Sequence, residues 1–291
     1  MTQIMTQQSG IIVIDKPEGK SSAFVDFIIK RQFGVKKVGH IGTLDPFATG
    51  VLAIAINGGT KAIPYIKTKS KIYEFEINFG KRTDTSDKTG KVVEILERIP
   101  TDTEIKAVLP QFIGEISQVP SIFSAIKIDG KRAYELARKG EMPDMKPRKV
   151  TIYSLEIIGK NKFRAEVSPG TYIRTLVEDI AKALNTVGYT ASLRRTTDGK
   201  FSIGDSISLE NLEKIVDNLD SVLIPLENVL DDIPVIPVSC QDAENLVMGR
   251  CVSTAFVGAS GQYLASAENG FLEIVEFSGG VVYPKKLLKS F

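Results

Sequence analysis

One eleven-residue stretch, His40-Ile41-Gly42-Thr43-Leu44-Asp45-Pro46-Phe47-Ala48-Thr49-Gly50, constrains this chain more than any other. Pro46 disfavours the α region for Asp45 and pushes that residue towards an extended or turn conformation. Gly42 and Gly50 permit tight turns or close backbone approach on either side. Immediately after Gly50, Val51 to Ile56 is a continuous apolar run that reads as a buried strand. Taken alone, Asp45-Pro46 is best explained as the start of a turn. With its flanks, it predicts a carboxylate displayed on a stiff loop at the mouth of a sheet, a common way to present a reactive group.

The rest of the chain alternates between strand and helix signals. Ile11 to Ile14 reads as a strand, and Ser21 or Ser22 caps a helix with Phe24, Phe27 and Ile28 on one face and Gly34 as its stop. Residues 71–79 alternate, placing Tyr73, Phe75, Ile77 and Phe79 on one strand face. Thr101 to Glu104 has capping-box spacing ahead of a helix ending near Phe112. Further strands are expected at 91–95, 123–128, 150–158 and 162–167. Arg174 to Val187 predicts a helix closed by Gly188, with Leu176, Ile180 and Leu184 along its apolar face. An acidic helical stretch from Ser208 to Leu230 leads to Asp231-Asp232-Ile233-Pro234, a boundary signal. Beyond it, one short helix (Gln241 to Met248) and strands near 262–267, 271–276 and 281–283 predict a small β-rich barrel.

A net charge of +2 conceals an uneven distribution. Residues 1–204 hold 32 Lys+Arg against 22 Asp+Glu, whereas residues 205–291 hold 5 against 13. That asymmetry is the footprint expected of a surface for a polyanion. Eight basic residues crowd the segment 127–149 (Lys127, Lys131, Arg132, Arg138, Lys139, Lys146, Arg148, Lys149), around a short helix at Ala133 to Arg138 and prolines at 143 and 147. The segment is too basic and too interrupted for a core. No apolar run approaches the ~20 residues of a membrane helix, and Met1 to Gly10 lacks the features of a signal peptide. Cys240 and Cys251 have no histidine near them in sequence, so reduced thiols in a cytoplasmic protein are expected, with no metal site. Phosphate-cradling glycine loops and nucleophile elbows are absent, so no cofactor is expected.

Six ordered blocks within residues 10–232 resemble the TruB-type pseudouridine synthases. They are Ile12-Val13-Ile14-Asp15-Lys16-Pro17 with Ser21-Ser22, the eleven-residue stretch itself (the family's G-T-L-D-P-x-A-T-G), Lys71-Ile72-Tyr73-Glu74-Phe75, Gly80 to Asp87, Gly170-Thr171-Tyr172-Ile173-Arg174 and Leu193-Arg194-Arg195-Thr196. The resemblance implies an α+β catalytic domain over residues 1–232, with a mixed, largely antiparallel sheet flanked by helices. It also implies a basic RNA-binding insertion at about 120–150 that closes over the RNA, and a small β-rich, PUA-like RNA-binding domain over 233–291. The implied reaction is isomerisation of uridine 55 in the T loop of tRNA to pseudouridine, by base flipping and by cleavage and re-formation of the glycosidic bond. The implied partner is the tRNA T stem-loop, without guide RNA or accessory protein; a monomer is expected.

In this reading Asp45 is the nucleophile or general base, and Arg174 is the cation that keeps it ionised. Tyr73 packs against the flipped base, although periodicity alone makes it a core tyrosine. Tyr172 and Leu193 line the uracil pocket, and His40 enters the RNA loop near the space the flipped nucleotide leaves. Lys16, Lys61 and Arg82 are RNA phosphate contacts or structural ion-pair residues. Two rival classes have less support. A non-catalytic RNA-binding or tRNA-folding protein on the same scaffold would not need Asp45. A glycoside hydrolase would need a second carboxylate across the scissile bond, for which Asp15, Asp84 and Asp87 are candidates in number only.

Overall fold

The computed structural model describes residues 8–122, 124, 127–128, 130–133, 136, 140–141, 144–215 and 219–291. In chain order its first strands are β1 (Gly10–Lys16), β2 (Val38–Ile41), β3 (Thr49–Ile56), β4 (Lys71–Phe79), β5 (Lys81–Thr83), β6 (Val92–Ile95) and β7 (Gly114–Gln118). They are followed by β8 (Lys127–Ile128), β9 (Lys131–Arg132), β10 (Arg148–Gly159), β11 (Lys162–Val167), β12 (Gly188–Asp198), β13 (Phe201–Ser202), β14 (Ile207–Ser208) and β15 (Leu223–Ile224). Among the described residues the main sheet runs β14-β1-β3-β12-β4-β11-β10-β7, with β2 on β3, β13 on β12 and β15 on β1. Its pairings are antiparallel except β1 with β14 and β3 with β12. A second sheet follows, formed by β16 (Val235–Pro237), β17 (Val252–Ser253), β18 (Gly261–Ser266), β19 (Leu272–Ser278) and β20 (Val281–Lys289), in the order β16-β18-β19-β20-β17.

The continuous apolar runs of β1 and β3 are explained by burial on both faces of the sheet. Ile12, Ile14, Leu52, Ile54 and Ile56 enter the larger core, beneath the helices Ser22–Phe33 and Ile173–Ala183. Ile11, Val13, Val51, Ala53 and Ala55 face the other way and pack with Leu264, Leu272, Ile274 and Leu288 of the second sheet. The C-terminal sheet is thus seated on the back of the main sheet. On β4 the expected alternation appears, with Tyr73, Phe75, Ile77 and Phe79 buried in turn.

Several local expectations need correction. In the Ser22–Phe33 helix the buried stripe is Val25, Ile29 and Phe33, while Phe24 and Phe27 are 38% and 56% exposed. The i, i+4, i+8 row that starts at Val25 points at the sheet, and Phe24 lies instead beneath the Lys20 ammonium at 4.8 Å. Ser21 caps this helix and Gly34, at φ 59°, stops it, as expected. The later helix ends at Ala183, with Asn185 adopting the left-handed conformation at φ 54°, because Gly188 is needed as the first residue of β12 opposite Phe79. β6 exists but is exposed and pairs with β5 outside the main sheet. The acidic stretch is not one helix; it breaks into Leu209–Lys214, a 3-10 turn at Leu219–Ser221, β15 and Leu226–Val229. Residues 123, 125 and 126 of the expected 123–128 strand, and residues 134, 135, 137 and 138 of the expected short helix, lie outside the described residues.

Candidate active site

Asp45 sits on the loop between β2 and β3, and that loop is fastened on both sides of it. Leu44 is held by Ser22, whose hydroxyl accepts from the Leu44 N–H at 2.9 Å and donates to its carbonyl at 3.0 Å. Pro46 is held through its carbonyl, which accepts from the Gly19 N–H at 2.8 Å and from the Lys16 ammonium at 3.3 Å. Lys16 also donates to the carbonyls of Pro17 and Lys20 at 2.9 and 2.6 Å. The chain's opening segment therefore acts as a clamp on the Asp45 loop, which leaves the carboxylate little freedom to reorient.

Arg174, in the first turn of the Ile173–Ala183 helix, is 4% exposed. Its Nε lies 3.0 Å from Asp45 Oδ2, its Nη1 is 3.6 Å from Asp87 Oδ2, and Nη1 donates to the Thr85 carbonyl at 3.1 Å. Asp87 is fixed in turn by bonds to its Oδ1 from the Thr85 hydroxyl and from the Thr89 N–H and hydroxyl, at 2.6–2.9 Å. Burial pushes the Asp45 carboxyl above the usual carboxylate range; Arg174 and Lys16 pull it down and Asp87 adds to the rise. The pairing with Arg174 is where the sequence put it, but the expectation of a carboxyl held low is corrected, because desolvation outweighs the guanidinium. A third of the Asp45 side chain (34%) stays accessible, opening on a cavity of about 330 Å³.

The cavity is bounded by residues 42–45, by 170–174 and by Lys71, Tyr73, Ser124 and Leu193. The structure therefore brings Asp45, Tyr73, Tyr172, Arg174 and Leu193 together from separated stretches of sequence. Below the wall lies a buried charge cluster that sequence reasoning missed. Arg195, fully buried, donates to the carbonyls of Val51 and Gly42 at 2.8 and 2.9 Å, and its guanidinium partly offsets the effect of burial on the Tyr73 phenol. Asp198 Oδ2 is shared between Arg195 Nη1 at 3.1 Å and Lys71 Nζ at 3.0 Å. Burial is the largest influence on both Tyr73 and Lys71, raising the phenol and lowering the ammonium, so each is held towards its neutral form.

The remaining expected site residues lie elsewhere. His40, on β2, is gripped by Asp26 at 2.7 Å through Nδ1 and meets the Thr43 hydroxyl at 3.1 Å through Nε2. Lys16 is 0% exposed and its ammonium, brought down to about 8 chiefly by burial, is consumed by three carbonyls. Of its two alternatives, the phosphate contact does not fit such a group. Lys61 donates to the Leu287 carbonyl of β20 at 2.9 Å, under the second sheet and off the cavity wall. Arg82 pairs with Glu94 across the β5–β6 ribbon at 2.8 Å, half exposed. Asp87 (named only as a candidate second carboxylate for a hydrolase), Arg195 and Ser124 were missed as members of this site. The first two stand inside recognised blocks, so their positions were on view, but nothing in the spacing tells which charges meet. Among the described residues no three His, Cys, Asp or Glu side chains gather as a metal site, and no helix is long and apolar enough to cross a membrane.

Comparison with known proteins bears directly on this arrangement. The profile of the TruB family pseudouridylate synthase N-terminal domain matches residues 30–173, and that of the tRNA pseudouridylate synthase B C-terminal domain matches residues 174–231. The tRNA pseudouridine synthase B of Bradyrhizobium diazoefficiens is 40% identical over 289 residues, covering 91% of this chain and 84% of that protein. The one from Aquifex aeolicus is 39% identical over 285 residues, covering 96% and 99%. Among solved structures, a chain in a Cbf5-Nop10-Gar1 complex superposes with a TM-score of 0.68 at 23% identity, covering 96% of this chain and 85% of its own. That likeness shows a shared pseudouridine synthase fold, including a β-rich, PUA-like C-terminal part.

Proposed function

The chain belongs to the TruB family of pseudouridylate synthases and is an isomerase acting on tRNA, and from that premise we propose that it converts uridine 55 of the T loop, with Asp45 as the group that starts the chemistry. The observation that carries the proposal is a partly accessible carboxylate, clamped through Leu44 and Pro46, paired with Arg174 at 3.0 Å and opening on a cavity. A uridine stacked in a folded loop must be flipped out before it reaches such a group. The cavity of about 330 Å³ falls in the range of small-ligand sites, with Tyr73, Tyr172 and Leu193 as its apolar and aromatic walls. In the reaction the C1′–N1 bond breaks, the uracil turns, C1′ bonds to C5, and the C5 hydrogen leaves as a proton while N1 gains one. Asp45 serves as nucleophile or general base, and Arg174 fixes its direction and stabilises its charge.

On this reading the T stem-loop binds across the basic face of residues 1–204, with His40 at the RNA loop and the insertion at about 120–150 closing on it. Lys16 and Lys61 act structurally, as their buried or interface bonds indicate, and Arg82 lies at the periphery. The division after residue 232 follows the start of the second sheet at Val235. No cofactor, guide RNA or accessory protein takes part, the working unit is a monomer, and a cytoplasmic setting goes with the substrate. The test is to incubate an unmodified tRNA transcript with wild type or Asp45→Asn and map pseudouridine by carbodiimide adducts and primer extension. A stop at position 55 with wild type alone, both proteins binding the tRNA, is expected. A stop at another position, or an equal stop with Asp45→Asn, overturns the assignment.

A further inference from the structure

Nearly every polar side chain on the cavity wall is already engaged within the protein. Asp45 faces Arg174 at 3.0 Å, Lys71 holds Asp198 at 3.0 Å, and the Tyr73 phenol lies under the influence of the Arg195 guanidinium. The Thr43 hydroxyl meets His40 at 3.1 Å, and the Thr171 hydroxyl donates to the Ser168 carbonyl at 2.8 Å. Tyr172 is half-buried and keeps access to solvent. Ser124 is different. It lines the same cavity, is 5% exposed, and its hydroxyl has no hydrogen-bond partner among the described residues. A buried hydroxyl without a partner costs a fold stability, and such groups in native proteins call for an explanation. At a cavity wall the direct explanation is a partner that arrives with the ligand.

We infer that Ser124 is a substrate-reading residue, whose hydroxyl makes its missing hydrogen bond to a polar group of the flipped uridine. The inference rests on the reading of this cavity as the uridine site. A serine hydroxyl both donates and accepts, so it can meet the N3–H and O4 edge of the pyrimidine or the ribose 2′-hydroxyl. Both are neutral hydrogen-bonding groups of one nucleotide. Ser124 takes no part in bond breaking. It holds the nucleotide in register with Asp45, and its loss leaves a polar group of the substrate unpaired in a desolvated site.

The test compares wild type with Ser124→Ala on an unmodified tRNA transcript, together with thermal unfolding of both proteins. Loss of one neutral hydrogen bond to substrate lowers kcat/KM by about tenfold. Meanwhile Tm holds or rises, because the substitution deletes an unpaired buried hydroxyl. A kcat/KM within about twofold of wild type overturns the inference, as does a loss of activity that tracks a lowered Tm, the signature of a merely structural serine. A transcript carrying 2′-deoxyuridine at the target position identifies the contact. If the gap between the two proteins closes on it, the serine reads the ribose; if the gap persists, it reads the pyrimidine. Should wild type leave the target uridine unchanged, the functional reading itself fails, independently of what Ser124→Ala does.

Discussion

Two glycines with almost the same backbone angle separate intrinsic strain from close approach. Gly50 has φ +99° and Gly114 has φ +102°. A side chain in this region costs about 1–2 kcal/mol at either position. At Gly114 nothing lies within 4 Å of where an added Cβ would stand, so Gly114→Ala should cost only that strain. At Gly50 the new carbon would sit 2.1 Å from the Arg195 carbonyl oxygen, where β3 and β12 cross. Restoring ordinary contact means parting these strands by more than 1 Å, which breaks the short parallel pairing of Thr49 with Arg194 and Gly50 with Arg195. With each of the two lost pairings worth about 1 kcal/mol, Gly50→Ala should cost about 3–4 kcal/mol in all. Gly50 is also the second residue of β3, directly after the loop that carries Asp45, and a misplacement of about 1 Å costs roughly 100-fold in rate. Urea denaturation of both variants, with single-turnover isomerisation rates, checks this. Equal destabilisation by the two substitutions, or Gly50→Ala at wild-type rate, would refute the close-approach argument.

Three further outcomes follow from particular groups. Glu273 is 4% exposed and burial lifts its carboxyl from 4.5 to about 7, against the pull of Lys61. A carboxyl raised in the fold costs nothing below pH 4.5, then costs progressively more until about pH 7. Glu273→Gln should therefore be more stable than wild type by about 2–3 kcal/mol at pH 8, with the difference shrinking towards pH 4.5 in denaturant titrations; a pH-independent gap would contradict the assignment. Because burial raises Asp45 and turnover needs its ionised form, kcat/KM should fall away on the acid side above the usual carboxylate range. An acid limb near the ordinary aspartate value of about 4 would count against it. Deleting residues 233–291 should yield an aggregating or dye-binding protein, since it bares Ile11, Val13, Val51 and Ala53; a cooperative, monomeric truncated chain would show that the two sheets do not share a core.

What was legible in the sequence was what local spacing controls. The β4 alternation, the Ser21 cap, the Gly34 stop and the β-rich character after residue 233 all depend on residues a few positions apart. The apolar run of β3 announced burial, but not that its two faces serve different cores. Misreadings arose where tertiary demands prevail. The Ser22–Phe33 helix has two possible apolar stripes, and only docking on the sheet selects Val25-Ile29-Phe33 over the one through Phe24 and Phe27. Asn185 ends its helix before Gly188 because β12 needs that glycine, whose added Cβ would lie 3.1 Å from Ala181 Cβ. At the site, the blocks named Asp45, Tyr73 and Arg174, but the protonation balance did not follow from them. Asp87 meets Arg174 across 87 positions and Asp198 meets Lys71 across 127, distances that no periodicity encodes. The fate of Lys16 and Lys61 was likewise set by carbonyls brought near by folding.

The account stands or falls on Asp45 acting at one uridine. Pseudouridine formation must expel the hydrogen at C5, so an unmodified tRNA transcript tritiated at uracil C5 reports turnover directly. Wild type should release one equivalent of tritium, Asp45→Ala none while still binding the tRNA, and a transcript without uridine 55 none with either protein. Release by Asp45→Ala at a rate near wild type, or undiminished release from the transcript lacking that uridine, would contradict the central claim.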